Sequence, residues 1–321
     1  MRSDRDEDES RLFPPQHTTV EQARSELIHT LGQAPEVFGQ PGTRWRLATL
    51  GETVAWLAGY GSSAISACLK RLGIHFKRGQ HRLYSPDPAY REKLRLIARR
   101  FDQVQASGGR EVLLFADELT FYRQPELARV WARAGRTQPR VDLSYKTNTS
   151  GRIVAVLNAL SGQVDHLVAN VISIPTLVRF HRQVRAAYPD ADRIWMALDN
   201  WPVHFHPDVV AALQEQTHRF DQPLPPSWPS EPSAKAKRLN LPIQLLPLPT
   251  YAPWTNPIEK LWRWLRQTYL HMHREADAWP TLKQKISDHF NEFAHGSEEL
   301  LRYVGLGSTS SLYGEIVAPA V

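Results

Sequence analysis

The chain has 321 residues, 42% of them hydrophobic, with one cysteine and a formal net charge of +6. That length suits about two domains with sizeable cores, and a lone Cys68 excludes both a disulfide framework and a zinc site built on paired cysteines. No apolar run reaches the roughly 18 residues that span a bilayer, and the opening MRSDRDEDES is acidic where an export signal is basic and then apolar, so a soluble cytoplasmic protein is expected.

Charge is spread unevenly. Residues 1 to 40 hold 4 Lys/Arg against 8 Asp/Glu, residues 41 to 110 hold 13 against 4, and residues 111 to 321 hold 22 against 21. The middle block alone exceeds the excess of the whole chain, and a concentrated basic segment suits a polyanion, most simply nucleic acid.

In chain order, residues 1 to 16 are charged and contain prolines, and are expected to be disordered. Residues 17 to 105 read as a small all-α module. One helix runs from Thr18 to Leu31; a second carries Leu47, Leu50, Val54 and Leu57 at spacings of three and four, and a third carries Ile65, Leu69 and Leu72. Gly59-Tyr60-Gly61 lies between the last two, with Ser62 or Ser63 as the expected cap, which outlines a helix-turn-helix. Ser63, Ser66, Lys70 and Arg71 fall away from the apolar stripe, and IHFKRGQHRLY behind it forms a basic hairpin around Arg78-Gly79, like the wing of a winged helix. Lys77, Arg78 and Arg82 are the expected phosphate contacts, and Ser63, Ser66 and Lys70 would face base edges.

After a helical stretch from Tyr90 to Val104 the pattern changes, and residues 106 to 295 alternate strands with helices. EVLLFADE, RIVAVLNAL, QVDHLVANV, DRIWMALDN and LPIQLLPLP read as strands; a helix spans roughly Ile174 to Ala187, another starts near Pro207, and TNPIEKLWRWLRQTYLHMH is a strong helical run. The order implies an α/β layer fold whose sheet begins with a hairpin. Residues 221 to 257 hold ten of the 24 prolines, so much of that stretch must be irregular, and residues 296 to 321 read as a tail.

Two apolar strands end in acids: Asp117 closes VLLFADE and Asp199 closes IWMALDN. Carboxyl ends of strands are where open α/β sheets place their sites, although a loop-capping Asp looks the same in isolation. Glu259 stands one turn into the helix opened by Asn256-Pro257, where an Asn cap, a Pro and an acid also spell a capping box. Three separated carboxylates are what two magnesium ions need, because magnesium prefers hard oxygen ligands and keeps several waters. Two such ions about 3.5 to 4 Å apart serve phosphoryl transfer. Joined to a basic DNA reader, such a site describes a DNA-cutting enzyme.

LLFADELTFYRQP, LDNWPVHFHP and LPLPTYAPWTNPIEKLWRWLR resemble the three acid-bearing blocks of DDE transposases of bacterial insertion sequences, in the branch related to the mariner superfamily. RWRLATLGETVAWL with KRLGIHFKRG is similar to that family's helix-turn-helix region, so the resemblance runs from about Arg44 to Arg302. It implies a ribonuclease-H-like catalytic domain with a mixed sheet flanked by helices, and a metal triad at Asp117, Asp199 and Glu259 holding two Mg2+ ions, with Mn2+ as a substitute. It also implies cleavage of element ends by water, then attack of the freed 3′-hydroxyl on target DNA, in this branch usually at a TA dinucleotide. The expected partners are double-stranded DNA, as inverted-repeat ends and target, and further copies of the chain in a homodimer or larger synaptic assembly, with no membrane.

One departure from the family is the 60-residue spacing from Asp199 to Glu259, about twice the usual, with the Pro-rich stretch of about 221 to 240 as the insertion. Its Lys235, Lys237 and Arg238 are candidates for touching DNA or a partner subunit. Another is that only one of the two helix-turn-helix units of many relatives can be placed. Asn200 and His204 are candidate DNA contacts near the site, His204 equally an ordinary helix-entry histidine. Glu118 should point away from Asp117, because neighbours on a strand face opposite sides. His271 and His273, two apart on a helix, diverge and make a poor metal pair. Trp262 reads as core, and core is preferred to base stacking for Trp201, Trp228 and Trp254. Two rivals stand beside the transposase: a nuclease of the same fold without strand transfer, and a domesticated DNA-binding regulator that has lost the chemistry.

Overall fold

A computed structural model describes residues 19–77, 84–216, 220, 224–307 and 312–314. The acidic stretch 1 to 16 and the wing with Arg78 and Arg82 lie outside the described residues. The chain divides into two compact units, Met1–Arg82 and Leu83–Val321.

In the first unit, α1 (Val20–Leu31) begins at a capping box in which Thr19 and Gln22 bond each other's backbone N–H. The turn-separated pair is α2 (Leu47–Thr53), with a short 3-10 turn Ala55–Leu57 behind it, and α3 (Ser62–Arg71). Ala23 and Leu27 of α1 close a core with Leu50, Val54, Trp56, Leu57, Ile65, Cys68 and Leu72. A Cβ on Gly51 would stand 2.8 Å from Ile65 Cδ1, so a residue without one lets α2 and α3 approach. The turn itself uses Gly59 at φ 83°. Neither serine caps α3: Ser62 is its first helical residue, and Gly61 is the cap with no side-chain hydrogen bond.

The second unit opens with α4 (Tyr90–Ala106), followed by β1 (Glu111–Tyr122), β2 (Ser150–Asn158), β3 (Val164–Ala169), α5 (Ile174–Ala187) and β4 (Arg193–Leu198). Then come the one-turn α6 (Pro207–Val210), β5 (Ile243–Pro247), α7 (Ile258–Leu265), α8 (Trp279–Asn291) and α9 (Glu298–Val304). The sheet has the order β3-β2-β1-β4-β5. β1 pairs antiparallel with β2, and β2 with β3, as the expected hairpin, whereas β1–β4 and β4–β5 are parallel. Pro247 closes β5 at the sheet edge, where a missing donor is tolerated.

Alternation along β1 divides the core in two. Leu113, Phe115 and Phe121 pack with α4, α7, α8 and α9 on one face; Leu114 and Ala116 pack with α5 and α6 on the other. The expected boundary at residue 105 is therefore too late. α4 turns Leu96, Ile97, Phe101 and Val104 onto the sheet and belongs to the second unit. The expected tail is also corrected: Leu300, Leu301 and Val304 of α9 lie in the same core. The helical run after Asn256 stops early, with α7 passing into a π-helical turn, Arg266–Leu270, so His271 and His273 stand beyond any helix. Met272 takes φ 52°, and its N–H donates to Glu126 O, which draws the chain onto the segment leaving β1.

Candidate active site

Parallel pairing of β1 with β4 aligns Phe115 with Ala197. Two residues on, Asp117 and Asp199 stand level, Asp199 just past the end of β4 and Asp117 where β1 loses its β4 neighbour; contrary to expectation Asp117 does not close its strand, because β1 stays paired to β2 as far as Tyr122. Glu259 comes from the first turn of α7, and the three line one cavity of about 420 Å³ together with Asn200, Trp201, Thr250, Tyr251 and Asn256. The expected triad is thus brought together.

Its charges are strained against one another. Burial, then the Glu259 and Glu118 carboxylates, push the Asp117 carboxyl well above its usual range, against a 2.7 Å hydrogen bond that Trp262 Nε1 donates to Asp117 Oδ2. Glu259 is also raised, by burial and then by Asp199, with Arg266 and Arg263 opposing. Burial pushes Asp199 up as well, but the His204 imidazolium and the Trp201 N–H, 2.9 Å from Oδ1, outweigh it and leave this carboxyl below its usual range.

The capping-box reading of Glu259 fails. Asn256 turns its amide to the sheet, where Nδ2 donates to Ala116 O at 3.0 Å, and it makes no side-chain cap on α7. That bond ties the start of α7 to β1 one residue before Asp117, which carries Glu259 to the other acids. Trp262 is core, as expected, and additionally holds Asp117; it lies three residues after Glu259, one turn along the same face.

Glu118 does point to the opposite face, where it meets His204. The imidazole is 3% exposed, with Nε2 3.4 Å from Glu118 Oε1 and 3.5 Å from Asp199 Oδ1. Burial opposes its charge, but Glu118 and then Asp199 raise it to about 10. Glu118, Asp199 and His204 bring one ligand atom each within 4.8 Å of one another. The imidazole stands between the two carboxylates and so bridges Glu118 to Asp199 from behind. In this structure His204 is turned to those two acids rather than to solvent. Asn200 donates Nδ2 to Leu248 O at 2.7 Å and so braces the loop after β5. Of the tryptophans, Trp201 packs at the edge of the α5 face, Trp228 stacks edgewise on His206, and Trp254 is exposed, contrary to the core reading, with Nε1 donating to Tyr90 Oη.

Residues fit for a divalent cation are therefore present: three oxygen-bearing acids whose repulsion a cation relieves, and two buried amide oxygens, Asn200 Oδ1 and Asn256 Oδ1, without a partner on the same cavity wall.

In the first unit, Ser63, Lys70, Arg71 and Lys77 are exposed and Ser66 is half-buried. Ser66 and Lys70 border an apolar hollow under α3 lined by Trp45, Leu47 and Leu69.

This sheet, with one acid inside β1, one just past the end of its parallel neighbour β4 and one on the helix behind them, is that of a DDE endonuclease, and the chain belongs to that family: the model of the DDE superfamily endonucleases matches residues 112–283. A 39 kDa protein of the insertion element IS630 in Shigella sonnei is 22% identical over 260 residues, covering 80% of this chain and 67% of that protein. In fold, the chain is similar to Mos1 mariner transposase. A pre-cleavage Mos1 transpososome superposes with a TM-score of 0.53 at 13% identity, over 84% of this chain and 77% of that one. A Mos1 paired-end complex with Mn gives 0.53 at 14% identity, over 84% and 77%. The ribonuclease-H-like architecture is therefore shown. No helix among the described residues is long and apolar enough to cross a membrane.

Proposed function

We propose that this chain is a transposase that binds the ends of an insertion element, cleaves them at Asp117, Asp199 and Glu259 with divalent cations, and joins the freed 3′-hydroxyl to target DNA. The observation that carries this is the meeting of three carboxylates, from β1, the end of β4 and α7, on one cavity wall. Magnesium, with manganese in its place, would activate the attacking oxygen and stabilise the leaving one; two ions are proposed. Mos1 complexes have been solved with Mn and with Mg.

The chain's own residues prepare that site. Trp262 fixes one oxygen of Asp117, His204 backs Asp199, and Asn256 holds α7 so that Glu259 faces both. The N-terminal unit supplies DNA recognition through α3, with Ser63, Ser66 and Lys70 toward bases and Arg71 and Lys77 toward phosphates. Joining two ends calls for at least two copies of the chain, in keeping with the paired-end complexes of Mos1, and TA is the proposed target.

The test replaces Asp117 or Asp199 by Asn, which removes a charge with little change of shape. End binding should persist while metal-dependent cleavage falls to background; full cleavage by either variant refutes the triad. Supplying pre-cleaved ends with a free 3′-hydroxyl and a target duplex separates a transposase, which joins them, from a nuclease, which does not.

A further inference from the structure

On the sheet face covered by α5, a groove of about 580 Å³ opens between the first turns of α5 and the Pro-rich segment at residues 233 to 237. Arg179 and Arg182, three apart and therefore on one side of α5, line it from below. Lys235 and Lys237 line it from the segment. All four are exposed, and none makes a hydrogen bond or ion pair among the described residues. The amino-terminal end of α5, at Ile174 to Thr176, adds the positive end of the helix dipole.

One acid, Asp208, lies among the lining residues, and it is engaged elsewhere. Its carboxylate accepts hydrogen bonds from Ser233 N at 2.6 Å and Ser233 Oγ at 2.8 Å, which pins the segment to α6. The same segment places Trp228 on His206, 4.8 Å between ring centroids. The insertion is therefore seated on the nine residues that lead from Asp199 to Asp208, and it builds one wall of a cationic groove that the sheet and α5 alone would lack.

We propose that this groove is a second DNA-binding surface, which grips the phosphate backbone of duplex DNA independently of α3. Four unpaired cations facing one groove are complementary to a polyanion. No aromatic ring lines it to stack an unpaired base, which favours paired DNA over single strands. Contacts of this kind position DNA without reading its sequence. The proposal rests on the transposase reading and extends it: the catalytic unit itself holds DNA, through the stretch that lengthens the spacing between the second and third acids.

The test uses the full chain in metal-free buffer with chelator and a labelled duplex that lacks element ends. Two paired variants, R179Q/R182Q and K235Q/K237Q, are compared with the unaltered protein across a salt series, with circular dichroism as a folding control. Each pair should lower the slope of log affinity against log salt by about 1.8, and so weaken binding about 60-fold near 0.1 M salt, at ~0.9 for each phosphate left without its cation. Equal effects from two separate elements would identify one surface. Unchanged slopes in both pairs would overturn the proposal, as would altered self-association with DNA binding intact, which would assign the groove to a protein partner. Cleavage by the Asp117→Asn variant plays no part in this assay, so failure of the groove and failure of the active-site reading are told apart.

Discussion

Asp87 offers a sharp test of how the cavity loop is held. Its Oδ2 accepts 2.8 Å hydrogen bonds from Lys93 Nζ and from Thr250 N, and Oδ1 accepts from Ala89 N at 2.9 Å. The carboxylate and the ammonium are 4% and 5% exposed, so this is a buried ion pair that joins the start of α4 to a loop lining the acids' cavity. Asp87→Asn keeps the size and one acceptor but leaves Lys93 as a buried charge without its counter-ion. Breaking a buried pair from one side costs about 3 to 5 kcal/mol, a large share of the roughly 5 to 15 kcal/mol that stabilises a typical domain. Denaturant unfolding followed by tryptophan fluorescence measures the loss. Removing both charges, in the D87N/K93M variant, should recover most of it, because an apolar replacement leaves no uncompensated charge. Burial raises the Asp87 carboxyl, but Lys93, Thr250 and Ala89 outweigh it and hold it below its usual 3.8. Its stabilisation is accordingly present above that pH and lost as acid takes the solution down through the depressed value. A loss under about 1 kcal/mol for Asp87→Asn, or a double variant no better than the single one, would refute the reasoning.

Glu259→Gln should fold at least as stably as the parent in metal-free buffer, because it removes a half-buried carboxylate that burial and Asp199 already push up, yet cleave element ends hardly at all; thermal unfolding and a magnesium-dependent cleavage assay on one preparation check both halves. Glu118→Gln removes the first charge that raises His204. A histidine raised from 6.5 to about 10 contributes stability that is complete below pH 6.5 and disappears as pH climbs to about 10. The variant should therefore be less stable than the parent near neutrality, with the difference shrinking toward pH 10, and a gap that stays constant across unfolding curves in this range would count against the bridge.

Asp117 and Asp199 are legible in the sequence because each closes an apolar run, and apolar runs of that length make buried strands. That the two come level depends on β1 pairing with β4 across 82 residues, which no local pattern carries. Asn256-Pro257 followed by Glu259 reads locally as a cap, yet the carbonyl of Ala116 in β1 takes the amide instead, so tertiary structure overrides a sound local signal. α4 resembles part of the DNA module because it is basic and adjoins it. Its stripe of Leu94, Ile97, Phe101 and Val104 at helical spacing is visible in the sequence, but the surface it covers is not. Alternation along a strand correctly turns Glu118 from Asp117, while its meeting with His204 requires the fold of residues 199 to 206. The wing residues Arg78 and Arg82 stay sequence expectations.

The order of the acids along the chain sets a timetable on the ribosome. Met1–Arg82 forms a compact unit by itself, whereas the third acid comes 177 residues later. At about 5 to 20 residues per second, a nascent chain would carry its first unit for roughly 10 to 35 seconds before Glu259 exists. If that unit reads DNA as proposed, it would engage the element's ends during that interval with nothing to cut with. On the same proposal, a message broken before that codon would encode a competitor for the element's ends rather than a weak nuclease.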